Sequence, residues 1–173
     1  ALFDPLTDEG GDILVEVRKG GARFREDRAF YGNIVRLNTF TAKEKRVAYN
    51  RGDILGFIAD RDKVVRIGMV QYDLTRSIIH RRNPESDWER IYSADFRTAM
   101  EPLGFGTNPD ILYVAALNGD KRALFQYDLK ARKLGRMIFA HPTYDVPAGP
   151  PIVSDKTGKV LGVRYEAERP QVY

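Results

Sequence analysis

The sequence contains few side chains that could form a serine or cysteine nucleophile with a histidine base, or a zinc site of histidine and cysteine ligands. Cysteine is absent, and the two histidines, His80 and His141, lie far apart in the chain. No Gly-x-Ser-x-Gly motif is present, so a serine nucleophile with a histidine base has little material to draw on. Structural and catalytic zinc sites need three or four ligands, which two separated histidines do not supply. We therefore expect no catalytic residue, no metal site and no cofactor in this chain.

Aspartates recur in the turns that join the first and second strands of successive predicted sheets. These residues are Asp60, Asp62, Asp110 and Asp155. Aspartate is a common turn former because its side chain bonds the nearby backbone, and this property is sufficient to explain the recurrence. The functional alternative is a carboxylate-dependent glycosidase or lactonase, in which repeat-related carboxylates converge about 5 to 9.5 Å apart across a substrate.

The elements that position these residues are predicted to be β-strands. Short runs rich in Val, Ile, Tyr and Phe alternate with turn residues, at a spacing typical of an antiparallel meander. A loop rich in Gly and Arg, Lys19 to Phe30, follows the first of them. The predicted strands span residues 12–18, 33–40, 45–49, 54–59, 64–72, 76–80, 88–92, 102–106, 111–117, 123–129, 134–139, 151–153 and 160–165.

Two internal similarities indicate a structural repeat. Ile54–Asp60, Pro102–Asn108 and Pro151–Asp155 each precede an apolar strand, and they begin about 48 residues apart, close to the length of a propeller blade. Residues 34–49 also resemble residues 124–139, with a turn at the same place in each. The second pair is predicted to form the third and outer strands of two blades.

The predicted fold is all-β: a partial β-propeller of about four blades, each a four-stranded antiparallel sheet, in a single domain over residues 1–173. One such unit cannot bury both faces of its own sheet, so neighbouring units must stack around a central channel. The chain is predicted to contain the outer part of one blade, two whole blades and most of a fourth. These blade parts cover residues 12–49, 53–93, 101–140 and 150–173.

The charge of the chain is high but mixed in sign. It has 28 Lys and Arg against 24 Asp and Glu, and a net charge of +4. The densest basic stretch, Arg76 with Arg81 and Arg82, is surrounded by acidic residues, which favours a solvated face over a nucleic-acid partner. His80, beside these arginines, is accordingly predicted to lie at the surface.

Several motifs resemble a known family in their order and spacing. They are Pro102–Phe105, Asp110–Val114, Ala123–Leu129, Leu134–Arg136, His141–Val146, Gly162–Glu166 and Arg169–Pro170. Together they look like the N-terminal propeller of bacterial serine peptidases of the prolyl oligopeptidase family (S9), of the dipeptidyl and acylaminoacyl peptidase type. The similarity covers most of the chain and is densest from residue 100 to residue 170.

In that family a seven- or eight-bladed propeller covers an α/β-hydrolase domain, which carries the catalytic serine, aspartate and histidine. The resemblance implies that this chain is a non-catalytic portion of the propeller, which gates the access of small peptides to a hydrolase domain of the same parent polypeptide. Asp145, Arg164 and Glu166 lie in matching segments and are the candidates for the substrate channel or the interdomain contact. Arg164 and Glu166 stand two apart on one predicted strand, where a surface ion pair is the simpler role.

Other partners and locations follow from the same observations. A free-standing propeller-like module that binds a protein through its loops is the alternative function. An arc of about four blades would expose apolar faces at both ends, so self-association is expected. No apolar run approaches the roughly 20 residues of a membrane span, and Ala1 to Gly11 is acidic where a signal peptide would be basic, so no membrane partner is expected. Bacterial cytoplasm and periplasm both fit a cysteine-free chain.

Overall fold

The chain consists of β-strands, as its sequence predicts. The structure, a computed structural model, describes residues 2–4, 11–18, 31–154 and 156–173. Within these ranges every regular element is a strand and no helix is present. The predicted loop from Lys19 to Phe30 and the turn residue Asp155 lie outside the described residues. The all-β class is therefore confirmed.

Three four-stranded antiparallel meanders follow one another along the chain. Sheet 1 consists of β1 (Leu2–Asp4), β2 (Asp12–Val17), β3 (Asn33–Asn38) and β4 (Glu44–Ala48). Sheet 2 consists of β5 (Ile54–Ala59), β6 (Val65–Tyr72), β7 (Thr75–His80) and β8 (Glu89–Asp95). Sheet 3 consists of β9 (Glu101–Phe105), β10 (Ile111–Asn118), β11 (Lys121–Asp128) and β12 (Lys133–Phe139). In each sheet the spatial order of the strands is their order in the sequence.

The sheet boundaries agree with the repeat seen in the sequence, with one difference in sheet 1. β5 and β9 open sheets 2 and 3 at the predicted positions. Sheet 1, however, also has a first strand, Leu2–Asp4, in which Leu2 pairs with Val15. This segment was missed because three residues are too few to show an alternating pattern. Sheet 1 is therefore a complete four-stranded sheet, whereas the sequence predicted only the outer part of a blade here.

The last 20 or so residues form two small ladders instead of a four-stranded sheet. This C-terminal unit consists of β13 (Ile152–Val153), β14 (Val160–Gly162), β15 (Arg164–Glu166) and β16 (Pro170–Val172). β13 pairs with β14, and β15 pairs with β16. The predicted strand over 160–165 changes partner at Val163, whose N–H and C=O both bond the backbone of Tyr173 at 2.9 Å. The prediction of one strand in this place was wrong.

The same turn joins the third and fourth strands of sheets 1 and 3. In each turn the side-chain oxygen of the first residue, Asn38 or Asp128, accepts hydrogen bonds from the N–H groups two and three positions later. Four positions later, Ala42 and Arg132 adopt positive φ angles of 53° and 54°. The shared geometry confirms that residues 34–49 and 124–139 form corresponding parts of two sheets.

The sheets stack face to face in chain order, and hydrophobic clusters fill the spaces between them. β10 shows the alternation that this requires: Leu112 and Val114 pack toward sheet 2, whereas Tyr113 and Ala115 pack toward the C-terminal unit. The cluster between sheets 1 and 2 is built from Leu14, Ile34, Ala48, Ile54, Phe57 and Val65. Both faces of sheet 3 are therefore covered, and each unit depends on its neighbours for burial.

A buried arginine also joins sheet 2 to sheet 1. Arg81 follows β7, is 7% exposed, and stacks on Trp88 with its guanidinium carbon 4.8 Å from the ring centroid. Its guanidinium donates to the carbonyl oxygens of Val65 at 2.7 Å, Val47 at 2.8 Å and Pro84 at 3.1 Å. The prediction of a solvated basic face is therefore wrong for this residue, because three carbonyls from separate segments replace its water.

The units approach one another most closely at their first strands and the turns that follow them. In the described part of the chain, the most extensive backbone contact between different sheets joins β5 to β9. The Arg61 guanidinium donates to the carbonyl of Ser154 at 3.5 Å, which joins the turn of sheet 2 to that of the C-terminal unit. Gly158 approaches Thr107 so closely that a Cβ at this position would overlap the Thr107 side chain. The first-to-second-strand turns of sheets 2 and 3 and of the C-terminal unit therefore lie together at one end of the stack.

Candidate functional site

Two of the three candidate residues line one surface groove. This C-terminal groove has a volume of about 460 Å³ and lies between the β10–β11 turn, the segment after β12 and the end of β15. Its charged lining residues are Asp120, Lys121, Asp145 and Glu166. The structure thus brings Asp145 and Glu166 together, although they are separated by 20 residues of sequence. The groove is open and carries more negative than positive charge.

Asp145 stabilises the backbone at the edge of the groove. Its Oδ1 accepts a hydrogen bond of 2.6 Å from the backbone N–H of Arg122, at the start of β11. The next residue, Val146, donates its own N–H to the Arg122 carbonyl at 3.1 Å and is fully buried. The segment after β12 is therefore attached to the edge of sheet 3 by backbone pairing, and Asp145 caps the pairing.

Arg164 and Glu166 do not form the ion pair that their spacing suggested. Both side chains are exposed, and neither has a salt bridge among the described residues. In the β15–β16 ladder they lie opposite Val172 and Pro170, so all four residues share one face. Tyr165 points to the other face and packs toward sheet 3. Arg164 contributes its carbonyl, which accepts the N–H of Ala148 at 2.7 Å.

An aromatic cluster of His141, Tyr144 and Tyr165 lies beside the groove, and Tyr144 forms part of the groove lining. His141 lies 5.0 Å from Tyr144 and 4.9 Å from Tyr165 between ring centroids. The Nδ1 of His141 accepts the backbone N–H groups of Thr143 and Tyr144 at 3.1 and 3.2 Å. The ring proton must then reside on Nε2, because a nitrogen that accepts hydrogen bonds cannot also carry a proton. His141 therefore stabilises the conformation of the loop that follows it.

Two of the four turn aspartates, Asp60 and Asp110, are held by cations or by the backbone. Asp60 is buried, accepts the Val64 N–H through Oδ1 at 2.9 Å, and lies 3.5 Å from the Arg66 guanidinium through Oδ2. Asp110 forms an ion pair of 2.6 Å with Lys130. These are the roles of turn formers, and they give no support to the glycosidase or lactonase alternative, in which paired carboxylates would face a substrate.

His80 is half-buried instead of lying at the surface as predicted. Its Nε2 is 3.2 Å from Nη2 of Arg66. A guanidinium can only donate, so Nε2 is the acceptor and the imidazole is neutral. Burial, followed by the positive charge of Arg66, lowers the pKa of His80 from 6.5 to about 4. This contact could not be predicted from the sequence because Arg66 lies on the adjacent strand, β6.

A large cavity opens between sheets 2 and 3 in the described part of the chain, and it is rich in positive charge. This basic cleft has a volume of about 800 Å³. Five cations line it: Arg66, Arg81, Arg82, Lys130 and Arg132. Three acidic residues accompany them: Asp87, Glu89 and Asp110. The cleft could not be predicted from the sequence because its cations come from two sheets, and only the stacking of those sheets brings them together.

The stability of the chain should fall as the pH is lowered from about 6.5 towards 4. The pKa of His80 in the folded state, about 4, lies below its ordinary value of 6.5, so the unfolded chain binds the proton first. Because His80 is only half-buried, solvent screening reduces the loss to roughly 1 to 2 kcal/mol. Urea unfolding at pH 7 and pH 4.5 measures it, with His80→Gln as the comparison. A loss of stability as large in the variant as in the wild type would contradict this role of His80.

Comparisons with known proteins identify no relative. No protein-family model matches the chain. No curated protein matches it either. Among the described residues there is no cluster of three or more His, Asp or Glu suited to a metal ion, and no helix long and apolar enough to cross a membrane.

Proposed function

We propose that this chain is a non-catalytic portion of a β-propeller in a serine peptidase of the prolyl oligopeptidase family. In this function the stacked sheets limit access of small peptides to a separate α/β-hydrolase domain of the same parent polypeptide. The observation that carries the proposal is the convergence of the first strands and their turns at one end of successive stacked sheets. Propeller blades surround their central channel with this same arrangement.

The hydrogen bonding of the serines and histidines supports a non-catalytic role. Ser77 and Ser93 share a hydrogen bond of 3.0 Å. Ser86 donates to the side-chain oxygen of Asn83, and the hydroxyl oxygen of Ser154 accepts the N–H of Thr157. The sequence contains no other serine. None of these contacts involves a histidine, whereas a serine nucleophile needs a histidine nitrogen within hydrogen-bond reach.

The candidate residues have different places in this proposal. Arg164 and Glu166 lie on the face of the C-terminal unit that points away from sheet 3, with the exposed Val172. Each sheet inside the stack has an apolar neighbour on that face, so a further sheet or the hydrolase domain is the expected partner there. Asp145 and Glu166 border the C-terminal groove, which is the candidate contact surface for a peptide or for the hydrolase domain.

Active-site labelling tests the proposal directly. The complete coding region that contains this chain is expressed and incubated with a fluorophosphonate probe, and the labelled peptide is mapped by mass spectrometry. We expect the label on a serine within a Gly-x-Ser-x-Gly motif outside these 173 residues, and no label on the four serines within them. Label on one of these four serines would overturn the non-catalytic role. A coding region without a hydrolase domain would favour the free-standing binding module.

A further inference from the structure

The basic cleft holds more positive charge than its own side chains neutralise. Its five lining cations exceed its three lining carboxylates by two, and Asp60, behind the lining, pairs with Arg66, which leaves one uncompensated positive charge. The cleft volume of about 800 Å³ falls within the range of about 300 to 1,000 Å³ that is typical of small-molecule sites. A charged cleft with low-dielectric walls concentrates ions of the opposite sign. The cleft therefore favours an anionic occupant.

The cations of the cleft divide into those that hold the fold and those that are available. Arg66 and Arg81 are buried and donate to backbone carbonyls of neighbouring segments. Lys130 and Arg132 are 73% and 51% exposed, and each has one carboxylate partner at the surface. Arg82 is exposed, and no hydrogen bond or ion pair engages its guanidinium in the described part of the chain.

The pKa of His80 responds to the charged side chains that surround the cleft. Burial is the largest cause of its lowered pKa; the charges of Arg66, Arg132 and Arg82 lower the pKa further, while Glu89 raises it. These groups act on the ring from β6, from the β11–β12 turn, from the segment after β7 and from β8, respectively. The positive side chains thus outweigh the negative one at the position of the imidazole. An anion bound in the cleft would offset this field and would raise the pKa of His80.

We propose that the basic cleft binds a small molecule that carries a multiply charged oxyanion of the phosphate class, with Arg82 as its principal side-chain ligand. This site is independent of the function proposed above. A single carboxylate would only exchange with Asp110 or Glu89, which already neutralise Lys130 and Arg132. A phosphate group carries about 1.5 to 2 negative charges at pH 7, pyrophosphate carries more, and both have several acceptor oxygens, so such a group can bridge Arg82 and its neighbours without displacing both carboxylates.

Calorimetric titration with inorganic pyrophosphate at pH 7 tests the site. The wild type is compared with Arg82→Gln and with Arg136→Gln, which removes an equal charge from an exposed position on β12 outside the cleft. We expect saturable binding by the wild type, about tenfold weaker binding by Arg82→Gln, since a charge-assisted hydrogen bond is lost, and little change in Arg136→Gln. Arg82 has no partner to lose in the described structure, so its variant should fold.

The pKa of His80, followed by nuclear magnetic resonance, gives a second readout. Saturating pyrophosphate should raise this pKa from about 4 toward its ordinary value of 6.5, whereas an equal ionic strength of sodium chloride should shift it far less. The proposal is overturned if the wild type shows no saturable binding. It is equally overturned if both arginine variants weaken binding to the same extent, or if pyrophosphate leaves the pKa of His80 unchanged.

Discussion

Replacing Arg81 with alanine should lower the free energy of unfolding by about 3 to 5 kcal/mol. The change removes three hydrogen bonds to the carbonyl oxygens of Val47, Val65 and Pro84, and it removes the guanidinium that stacks on Trp88. The carbonyls of Val47 and Val65 would then lie at a sheet interface with fewer donors, and an unsatisfied buried acceptor is costly. Urea unfolding followed by tryptophan fluorescence measures the effect, because Trp88 is the single tryptophan.

The neighbouring arginine provides a matched control for this change. Arg82 is exposed and has no hydrogen bond in the described structure, so Arg82→Ala should change the stability by less than about 0.5 kcal/mol. Arg81→Lys should keep the charge but lose most of the stabilisation, since an ammonium lacks the planar fork that reaches three carbonyls. If Arg81→Ala were as stable as Arg82→Ala, the proposed joint between sheets 1 and 2 would have no energetic importance.

Replacing Leu112 with alanine should lower the free energy of unfolding by about 3 to 5 kcal/mol as well. Leu112 is fully buried in the cluster between sheets 2 and 3, together with Ile67 and Ile78 of sheet 2. The alanine would leave a cavity between two sheets that cannot easily collapse, because each sheet is held by its own ladder. Leu134→Ala, on a residue that is 44% exposed on β12, should cost less than about 1 kcal/mol.

Denaturant unfolding of these two variants compares the loss of a side chain buried between two sheets with the loss of one exposed on β12. We expect the midpoint of Leu112→Ala to fall with an unchanged slope if sheets 2 and 3 unfold together. A second transition, or equal midpoints for Leu112→Ala and Leu134→Ala, would indicate that the sheets do not stabilise one another through this cluster.

The strands could be predicted from the sequence because each one is a local pattern. Runs of β-branched and aromatic residues between turn formers placed β5 at its observed bounds, and β9 and β10 within one residue of theirs. The turn chemistry of Asn38 and Asp128 explains why the two similar segments have the same shape. In contrast, Leu2–Asp4 is too short to carry a pattern of its own.

The partners of the buried charges could not be predicted in the same way. Arg81 and Arg82 are adjacent in sequence, yet one is 7% exposed and the other is at the surface. One of the three carbonyls that bind Arg81 is that of Val47, which belongs to sheet 1 and meets Arg81 only after the sheets have stacked. The same reason applies to the basic cleft, whose cations come from both sheets 2 and 3. Local sequence patterns therefore predicted the sheets but not the chemistry of their interfaces.

The meander topology also sets the order of events during synthesis. Every strand of sheet 2 pairs with a neighbour in sequence, so its hairpins can close in microseconds once the segment has left the ribosome. The next sheet requires about 50 further residues, which take roughly 2 to 10 s to synthesise. During that interval the faces of Ile67 and Ile78 that later meet sheet 3 remain open to water or to other chains. Chaperone binding or slow elongation at this stage would therefore govern the yield of correctly stacked chain.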